Sequence, residues 1–240
     1  ICMAAKLPNI RPILQEDDLF KTSESMLIDL TGDGKPESIY SLEGTYHFDE
    51  RNPDLSRKPS QYLFYSANTD IEIPDNSKFM NARQMIVQDL NGDGKDDGIF
   101  IQHGPDYKPF ERHENKIMLS SPKGYQIKTL PGDKALYHGA SAGDVDNDGS
   151  NELIFGSHDG GLYIVSIVGN QEMVYLQNGY IVGSPSLVDL DGDEDMEIVF
   201  TTQRGSNSGE LFAIHHDGTD VDGFPININE KMLVGPATGD

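Results

Sequence analysis

The sequence predicts an all-β fold, and within that class a β-propeller built from repeated four-stranded blades. Three observations lead to this prediction. An acidic nine-residue loop recurs four times, short apolar runs flank each loop, and turns rich in Gly, Asn and Asp separate the runs. A chain of 240 residues can bury a core as one all-β domain, so we assign residues 1–240 to a single propeller domain.

The acidic loops set the period of the repeat. They occupy residues 29–37, 89–97, 144–152 and 189–197, and their first positions are 60, 55 and 45 residues apart. Asp240 follows 51 residues after the last of these positions and marks the start of another blade. This spacing is typical of blades with connections of variable length. Because the chain begins at Ile1 and ends within such a start, we expect it to be an excerpt of a longer polypeptide with further blades or domains.

Apolar runs mark the strands on both sides of the loops, such as residues 85–87 and 99–101 around the second loop. Between the third and fourth loops we predict strands near residues 162–168, 172–176 and 181–188, with turns at 158–161, 169–170 and 178–179.

Segments of small residues lead into the later loops, at residues 139–143, 183–186 and 235–239. In a propeller the innermost strands approach one another closely, which favours side chains of this size. Flexible linkers are the alternative interpretation. Because the segments recur at the same offset from each loop, we predict packed inner strands.

The residue types of the loops are those that hold calcium. Ca²⁺ accepts six to eight oxygen ligands at about 2.3 to 2.6 Å in flexible geometry, whereas Mg²⁺ requires a strict octahedron and keeps its waters. In a tight loop the side chains at positions 1, 3 and 5 point inward, position 7 offers its carbonyl, and position 9 offers a bidentate carboxylate. Glycine at position 6 permits the sharp turn. We therefore predict up to four Ca²⁺ ions, and no other cofactor.

The predicted side-chain ligands are Asp29, Thr31, Asp33 and Glu37; Asp89, Asn91, Asp93 and Asp97; Asp144, Asp146, Asp148 and Glu152; Asp189, Asp191, Asp193 and Glu197. The predicted carbonyl ligands belong to Lys35, Lys95, Ser150 and Asp195. Since each loop collects several like charges, we expect metal binding to contribute directly to folding. Solvated surface turns rich in Asp and Gly are the alternative.

Two loops depart from the pattern. Thr31 stands at the third position of the first loop, and Glu194 replaces glycine at the sixth position of the fourth, where a left-handed backbone costs strain. We expect these two sites to be weaker or distorted. The twelfth position, which is Glu in an EF-hand, is aromatic in all four repeats; this excludes an EF-hand and predicts ring packing between blades by Tyr40, Phe100, Phe155 and Phe200.

The composition excludes several partners. Acidic residues outnumber basic ones 40 to 18, for a formal charge of −22, which argues against binding to nucleic acid or anionic membranes. No apolar run approaches the roughly 18 residues that span a bilayer, so we predict no direct membrane insertion. Cys2 is the single cysteine, which excludes an internal disulfide framework.

The four loops, the small residues before the later ones, and residues 209–218 with 223–225 resemble the FG-GAP or VCBS repeat family. The resemblance covers nearly the whole chain, although the first two repeats lack a clear small-residue approach. It implies calcium-loop blades of a seven- or eight-bladed propeller, as in integrin α-subunits and many bacterial surface proteins.

Recognition is predicted on the face opposite the calcium loops. In an up-and-down blade the second-to-third and blade-to-blade connections share that face. Insertions at residues 44–60, 103–114 and 203–209 fall on it. They carry residues suited to a carbohydrate or protein ligand, with ordinary loop decoration as the alternative: Tyr46, His47, Arg51, Tyr107, Phe110, Arg112, His113 and Arg204.

No catalytic residue is predicted. The sequence has no H-E-x-x-H, G-x-S-x-G or phosphate-loop motif, and we interpret His215 and His216, at a predicted strand end, as structural. The leading hypothesis is a non-enzymatic adhesion or ligand-recognition module. We place it outside the cell, at the cell surface or in the periplasm, because millimolar calcium saturates sites of modest affinity. The alternatives are the propeller part of a secreted polysaccharide lyase or hydrolase, and an architectural spacer.

Overall fold

A computed structural model of the chain describes residues 19–29, 33–44, 62–67, 82–102, 115–121, 124–134, 136–168, 171–177 and 179–239. Within these ranges all regular structure is β-strand and there is no helix, which confirms the predicted all-β class. It follows that no helix in the described part could cross a membrane. The strands form several antiparallel sheets, none of which closes on itself in the described ranges.

Sixteen strands in the described part form four consecutive sheets. The first sheet contains β1 (Leu19–Ile28), β2 (Glu37–Gly44) and β3 (Tyr62–Ala67). The second contains β4 (Ala82–Gln88), β5 (Asp97–Gln102), β6 (Lys116–Ser121) and β7 (Gly124–Thr129). The third contains β8 (Leu136–Gly143), β9 (Glu152–Ser157), β10 (Gly161–Ser166) and β11 (Gln171–Leu176). The fourth contains β12 (Tyr180–Ile181), β13 (Ser186–Val188), β14 (Glu197–Gly205), β15 (Ser208–Ile214) and β16 (Ile226–Ile228).

The first three sheets are antiparallel meanders in which successive strands pair in chain order, and in the fourth sheet β14, β15 and β16 pair in the same way. β10 and β11 confirm the strands predicted near residues 162–168 and 172–176. The strand predicted at 181–188 is instead divided into β12 and β13, which both pair with β14. The division has a local cause, because Pro185 has no N–H to donate and Gly183 has a φ of 91°.

The connection at residues 203–209 is not the insertion that the sequence predicts. β14 continues to Gly205 and β15 begins at Ser208, so the two strands form a tight hairpin. Arg204, predicted on a recognition loop, forms a 2.7 Å ion pair across this hairpin with Glu210. Of the insertion predicted at 44–60, only Gly44 is described, as the last residue of β2, and the insertion predicted at 103–114 lies outside the described residues.

The core lies between neighbouring sheets, and the third sheet shows why. Alternate residues of a strand point to opposite faces. Leu153 and Phe155 of β9 therefore join a cluster with Ile99 and Ile117 of the second sheet. Ile154, between them, joins a cluster with residues of β14 and β15 in the fourth sheet. The third sheet is thus covered on both faces, and β9 is buried along its whole length.

Aromatic rings at the twelfth loop position pack both within and between sheets. Phe155 stacks on Tyr163, its cross-strand neighbour, at 5.2 Å between ring centroids. Phe200 stacks on Phe212 of the same sheet, and Tyr175 of the third sheet meets Phe200 edge-on at 6.0 Å. Of these two residues, Phe200 therefore meets a ring of the neighbouring sheet, whereas Phe155 joins the largely aliphatic cluster between the second and third sheets. The side chains of Tyr40 and Phe100 lie outside the described part.

The first strands of successive sheets contact one another, β1 with β4, β4 with β8, and β8 with β13. Small residues allow this approach. A Cβ on Gly143 would lie 2.8 Å from the Leu187 side chain, and one on Gly183 would lie 2.0 Å from the Gly235 nitrogen. The small-residue segments therefore pack closely, as predicted. Residues 139–143 lie within β8, but only Ser186 of residues 183–186 lies in a strand, and residues 235–239 form none.

Candidate metal centre

The four acidic loops occupy equivalent places in the four sheets. Each joins the first strand of its sheet to the second: β1 to β2, β4 to β5, β8 to β9, and β13 to β14. The second and third loops are neighbours, because Asn151 Nδ2 donates a 2.7 Å hydrogen bond to the backbone carbonyl of Asp89. The predicted ligands therefore lie at the same end of each sheet.

The first aspartate of each loop accepts backbone N–H groups from the middle of its own loop. Asp144 is representative, since its Oδ1 accepts from Asp148 N at 3.1 Å and its Oδ2 from Gly149 N at 2.9 Å. Equivalent hydrogen bonds, donated by the backbone N–H of the fifth or sixth loop residue, are accepted by Asp29, Asp89 and Asp189. These bonds wrap the loop around the first carboxylate and fix its orientation.

The fifth aspartate accepts the backbone N–H two residues later in every loop. The donors are Lys35, Lys95, Ser150 and Asp195, at 2.9, 3.1, 2.8 and 3.0 Å from the aspartate Oδ1 atoms. That these four residues supply carbonyl ligands remains a prediction. The shared pattern shows that the sequence repeat is also a repeat of local structure. The accepting aspartates at the fifth position are Asp33, Asp93, Asp148 and Asp193.

The sixth position takes the left-handed conformation in all four loops. Gly34, Gly94 and Gly149 have φ values of 81°, 80° and 88°, and Glu194 has 77°. Only glycine adopts this conformation without a steric cost from Cβ. The sequence prediction of backbone strain at Glu194 is confirmed.

The ninth carboxylate is buried beneath the loop and is anchored by the backbone N–H of the second position. Asp97, Glu152 and Glu197 are at most 5% exposed. They accept from Leu90 N at 3.1 Å, Val145 N at 3.2 Å and Leu190 N at 2.5 Å, respectively. Thr31 and the side chain of Glu37 lie outside the described residues, so the first loop is seen only through Asp29, Asp33 and Lys35.

The third loop brings three of its predicted ligands close together. Ligand oxygens of Asp144, Asp146 and Glu152 all lie within 4.8 Å of one another. Two oxygens bound to the same Ca²⁺ are separated by at most about 5 Å, twice the Ca–O distance. These three carboxylates therefore fit a single calcium ion.

Burial and like charge destabilise the ionised carboxylate in this loop. Burial, the largest cause, and the neighbouring aspartates raise the pKa of Glu152 to about 7. The hydrogen bond from Val145 N acts in the opposite direction and lowers this pKa. In the second loop, burial raises the pKa of Asp97, and Asp89 and Asp93 raise it further. A divalent cation would offset this repulsion.

In the second loop the ninth carboxylate is more fully hydrogen bonded. Asp97 Oδ2 accepts from Leu90 N and Asn91 N, and its Oδ1 accepts from Asn91 Nδ2 at 2.6 Å. Asn91 thereby keeps its carbonyl oxygen as the ligand atom available to a cation.

The fourth loop faces a residue that the sequence prediction did not include among the ligands, His215 of the turn after β15. Asp189, Asp191 and Asp193 form one compact group of ligand atoms, and Asp191, Glu197 and His215 form a second. His215 Nδ1 lies 3.2 Å from Glu197 Oε1, and the adjacent His216 Nδ1 lies 3.3 Å from Asp195 Oδ2. The β14–β15 hairpin explains this proximity, since Ile198 pairs with Ile214 and the next residues on either strand are Glu197 and His215.

His216 also faces the third loop. It lines a cavity of about 200 Å³ together with Asp146, Glu152 and Met173. The turn that carries the histidine pair therefore lies between the third and fourth acidic loops.

Comparison of the chain with models of known protein families and with curated proteins found no match.

Proposed function

We propose that the chain is a calcium-stabilised recognition module of an extracellular or cell-surface protein, with the acidic loops as its calcium sites. The observation that carries this proposal is the hydrogen-bond pattern shared by the four loops. In each loop one carboxylate organises the backbone, and in the three loops with a described ninth side chain a second one is buried beneath it. Solvated turns have no reason to bury a carboxylate at the same position three times.

Calcium suits these loops better than a smaller cation. All predicted ligands are oxygens, and the third loop holds three carboxylates at separations that one Ca²⁺ can bridge. The formal charge of −22 further favours uptake of divalent cations. Because the ligands converge only in the folded chain, the binding free energy adds to the free energy of unfolding.

The arrangement of the sheets supports a β-propeller for this module. Four antiparallel sheets follow one another, and cores fill the spaces between the second and third and between the third and fourth of them. The strands that lead into the acidic loops meet along one side. Blades that pack face to face around an axis have these features. The resemblance to FG-GAP or VCBS repeats leads to the same proposal.

Recognition is proposed for the face opposite the acidic loops, with a carbohydrate or a protein as the ligand. The support is topological, because the connections after β2 and β5 leave the sheets at the end away from the loops. The second candidate is the propeller part of a secreted polysaccharide lyase or hydrolase. A glycan array followed by incubation with the bound glycans separates them, since the module binds without cleavage and the enzyme shortens the chain.

Calcium titration calorimetry tests the metal sites. Asp93→Asn and Asp148→Asn each remove one carboxylate from the second and third loops, and we expect each to weaken or abolish one binding event. Asp222→Asn, on an exposed turn outside the loops, is the matched control and should bind like the parent chain. Equal calcium binding by all four proteins would overturn the proposed sites.

A further inference from the structure

The fourth loop differs from the others in the residue that faces its ninth carboxylate. We propose that Asp191, Glu197 and His215 form a binding site for a borderline transition-metal cation of the Zn²⁺ class, in preference to Ca²⁺. This inference rests on the proposed role of the acidic loops as metal sites. It changes the metal assigned to one of them.

The geometry of Glu197 is the first argument. Its side chain is 0% exposed, and its Oε1 accepts no hydrogen bond with acceptable geometry in the described part of the chain. His215 Nδ1 lies 3.2 Å from this oxygen without forming a hydrogen bond to it. A buried carboxylate oxygen without a donor is costly, and a cation between the two atoms would satisfy both.

The distances suit one small cation. Ligand atoms of Asp191, Glu197 and His215 lie within 4.8 Å of one another. Ligands at about 2.0 to 2.2 Å from a tetrahedral Zn²⁺ are separated by roughly 3.3 to 3.6 Å. The observed 3.2 Å between His215 Nδ1 and Glu197 Oε1 is close to this edge length.

Two of the three ligands, Glu197 and His215, are held by the backbone around them. Glu197 Oε2 accepts from Leu190 N at 2.5 Å, which directs Oε1 toward His215. The turn after β15 is closed by hydrogen bonds from His215 N to Thr219 O and from Gly218 N to His215 O, both 2.9 Å. Asp217 accepts from the Thr219 backbone and hydroxyl, which holds the turn further. The imidazole therefore needs little reorganisation to bind.

The donor set distinguishes this loop chemically. An imidazole nitrogen with carboxylates suits Zn²⁺, Ni²⁺ and Cu²⁺, whereas Ca²⁺ prefers oxygen throughout. In the third sheet the residue that pairs with the ninth carboxylate is Ser166, opposite Glu152. His215 therefore occupies, in the fourth sheet, the position that a serine occupies in the third sheet. Three protein ligands leave a fourth position of a tetrahedral ion open to water or an external ligand.

Zinc titration of the calcium-loaded chain tests this site. We expect one Zn²⁺ per chain to bind without displacing calcium from the second and third loops. His215→Ser installs the residue found in the third sheet and should weaken zinc binding at least tenfold. His216→Ala removes the adjacent imidazole, which is outside the ligand group, and should keep the parent affinity. Equal zinc affinity in the parent chain and His215→Ser, or an equal loss in both variants, would overturn the proposal.

Nitrogen-15 NMR of the histidine side chains gives a readout that needs no variant. Zinc should shift the Nδ1 resonance of His215, and an unchanged His215 resonance at saturating zinc would contradict the site. Calcium binding is measured on the same samples. A chain that binds zinc through His215 but takes up no calcium would contradict the proposed function alone, and calcium uptake without zinc binding would contradict this inference alone.

Discussion

Ser186 Oγ donates a 2.6 Å hydrogen bond to the backbone carbonyl of Pro236. Ser141 Oγ makes the same bond to the carbonyl of Pro185 in the preceding repeat. Each serine lies three residues before the first aspartate of its loop, and each proline lies four residues before the next one along the chain. The segment around Pro236 therefore packs on β13 in the way that the segment around Pro185, just before β13, packs on β8.

Removing these serine hydroxyls tests whether the inner strands are coupled. Ser141→Ala and Ser186→Ala should each lower the free energy of unfolding by about 1 kcal/mol, because the carbonyl of Pro185 or Pro236 loses its donor. Urea unfolding followed by circular dichroism measures the change. Ser208→Ala, at an exposed position in the β14–β15 hairpin, is the control and should change stability little. Losses no larger than that of the control would contradict the coupling.

The left-handed backbone at Glu194 predicts a stabilising substitution. Glu194→Gly should raise the free energy of unfolding by about 1 kcal/mol, since glycine adopts a φ of 77° without a clash at Cβ. The reverse change, Gly149→Ala in the third loop, should destabilise by a similar amount. No atom lies within 4 Å of the added Cβ, so the cost comes from the backbone alone. If chemical denaturation in EDTA shows no gain for Glu194→Gly, the strain is absent.

The raised pKa of Glu152 predicts that the metal-free protein loses stability as the pH rises. A carboxyl with a folded pKa of about 7 and an ordinary value of 4.5 stabilises the fold in its protonated form. This contribution is complete below the unfolded pKa and disappears as the pH rises through the folded one. Unfolding in EDTA should therefore show wild type losing stability relative to Glu152→Gln between about pH 5 and pH 8.

Calcium should reverse this trend, because it binds the ionised carboxylate. In saturating calcium the wild-type protein should gain stability relative to Glu152→Gln over the same pH range. A difference between wild type and variant that is constant with pH in EDTA would show that Glu152 titrates normally.

Asn151 predicts communication between the second and third loops. Its side chain bonds the Asp89 carbonyl at 2.7 Å, so it links a residue of one loop to the first ligand of the other. Asn151→Ala should cost about 1 kcal/mol of stability and weaken calcium binding at the second loop. Asn227→Ala, on the exposed part of β16, is the control. Unchanged calorimetry at the second loop would restrict the role of Asn151 to its own loop.

The local features of the acidic loops could be predicted from the sequence, because short-range chemistry determines them. Glycine at the sixth position, the strained Glu194 and the flanking strands all follow from residues within a few positions of each other. The division of the strand at 181–188 could have been expected from Pro185, which cannot donate within a strand.

The position of His215 beside Glu197 could not be predicted, because it depends on the register of a hairpin. Interpreting residues 203–209 as an insertion separated β14 from β15 and hid the pairing of Ile198 with Ile214. A two-residue turn at Ser206 and Asn207 pairs Gly205 with Ser208, and counting from it would have placed His216 opposite Glu197. The register shift between Gln203 and Gly205 moves the pairing by one residue and brings His215 there instead. The packing of Tyr175 on Phe200 likewise joins different sheets and leaves no local signal.

The central claim is that the acidic loops bind calcium and thereby stabilise the fold, and thermal unfolding tests it most directly. The chain is melted in excess EDTA and again in millimolar CaCl₂, with MgCl₂ at the same concentration to control for ionic strength. We predict a large rise in Tm with calcium and a small one with magnesium, because only calcium accepts the irregular oxygen shell of these loops. Equal Tm values in EDTA and calcium would contradict the account.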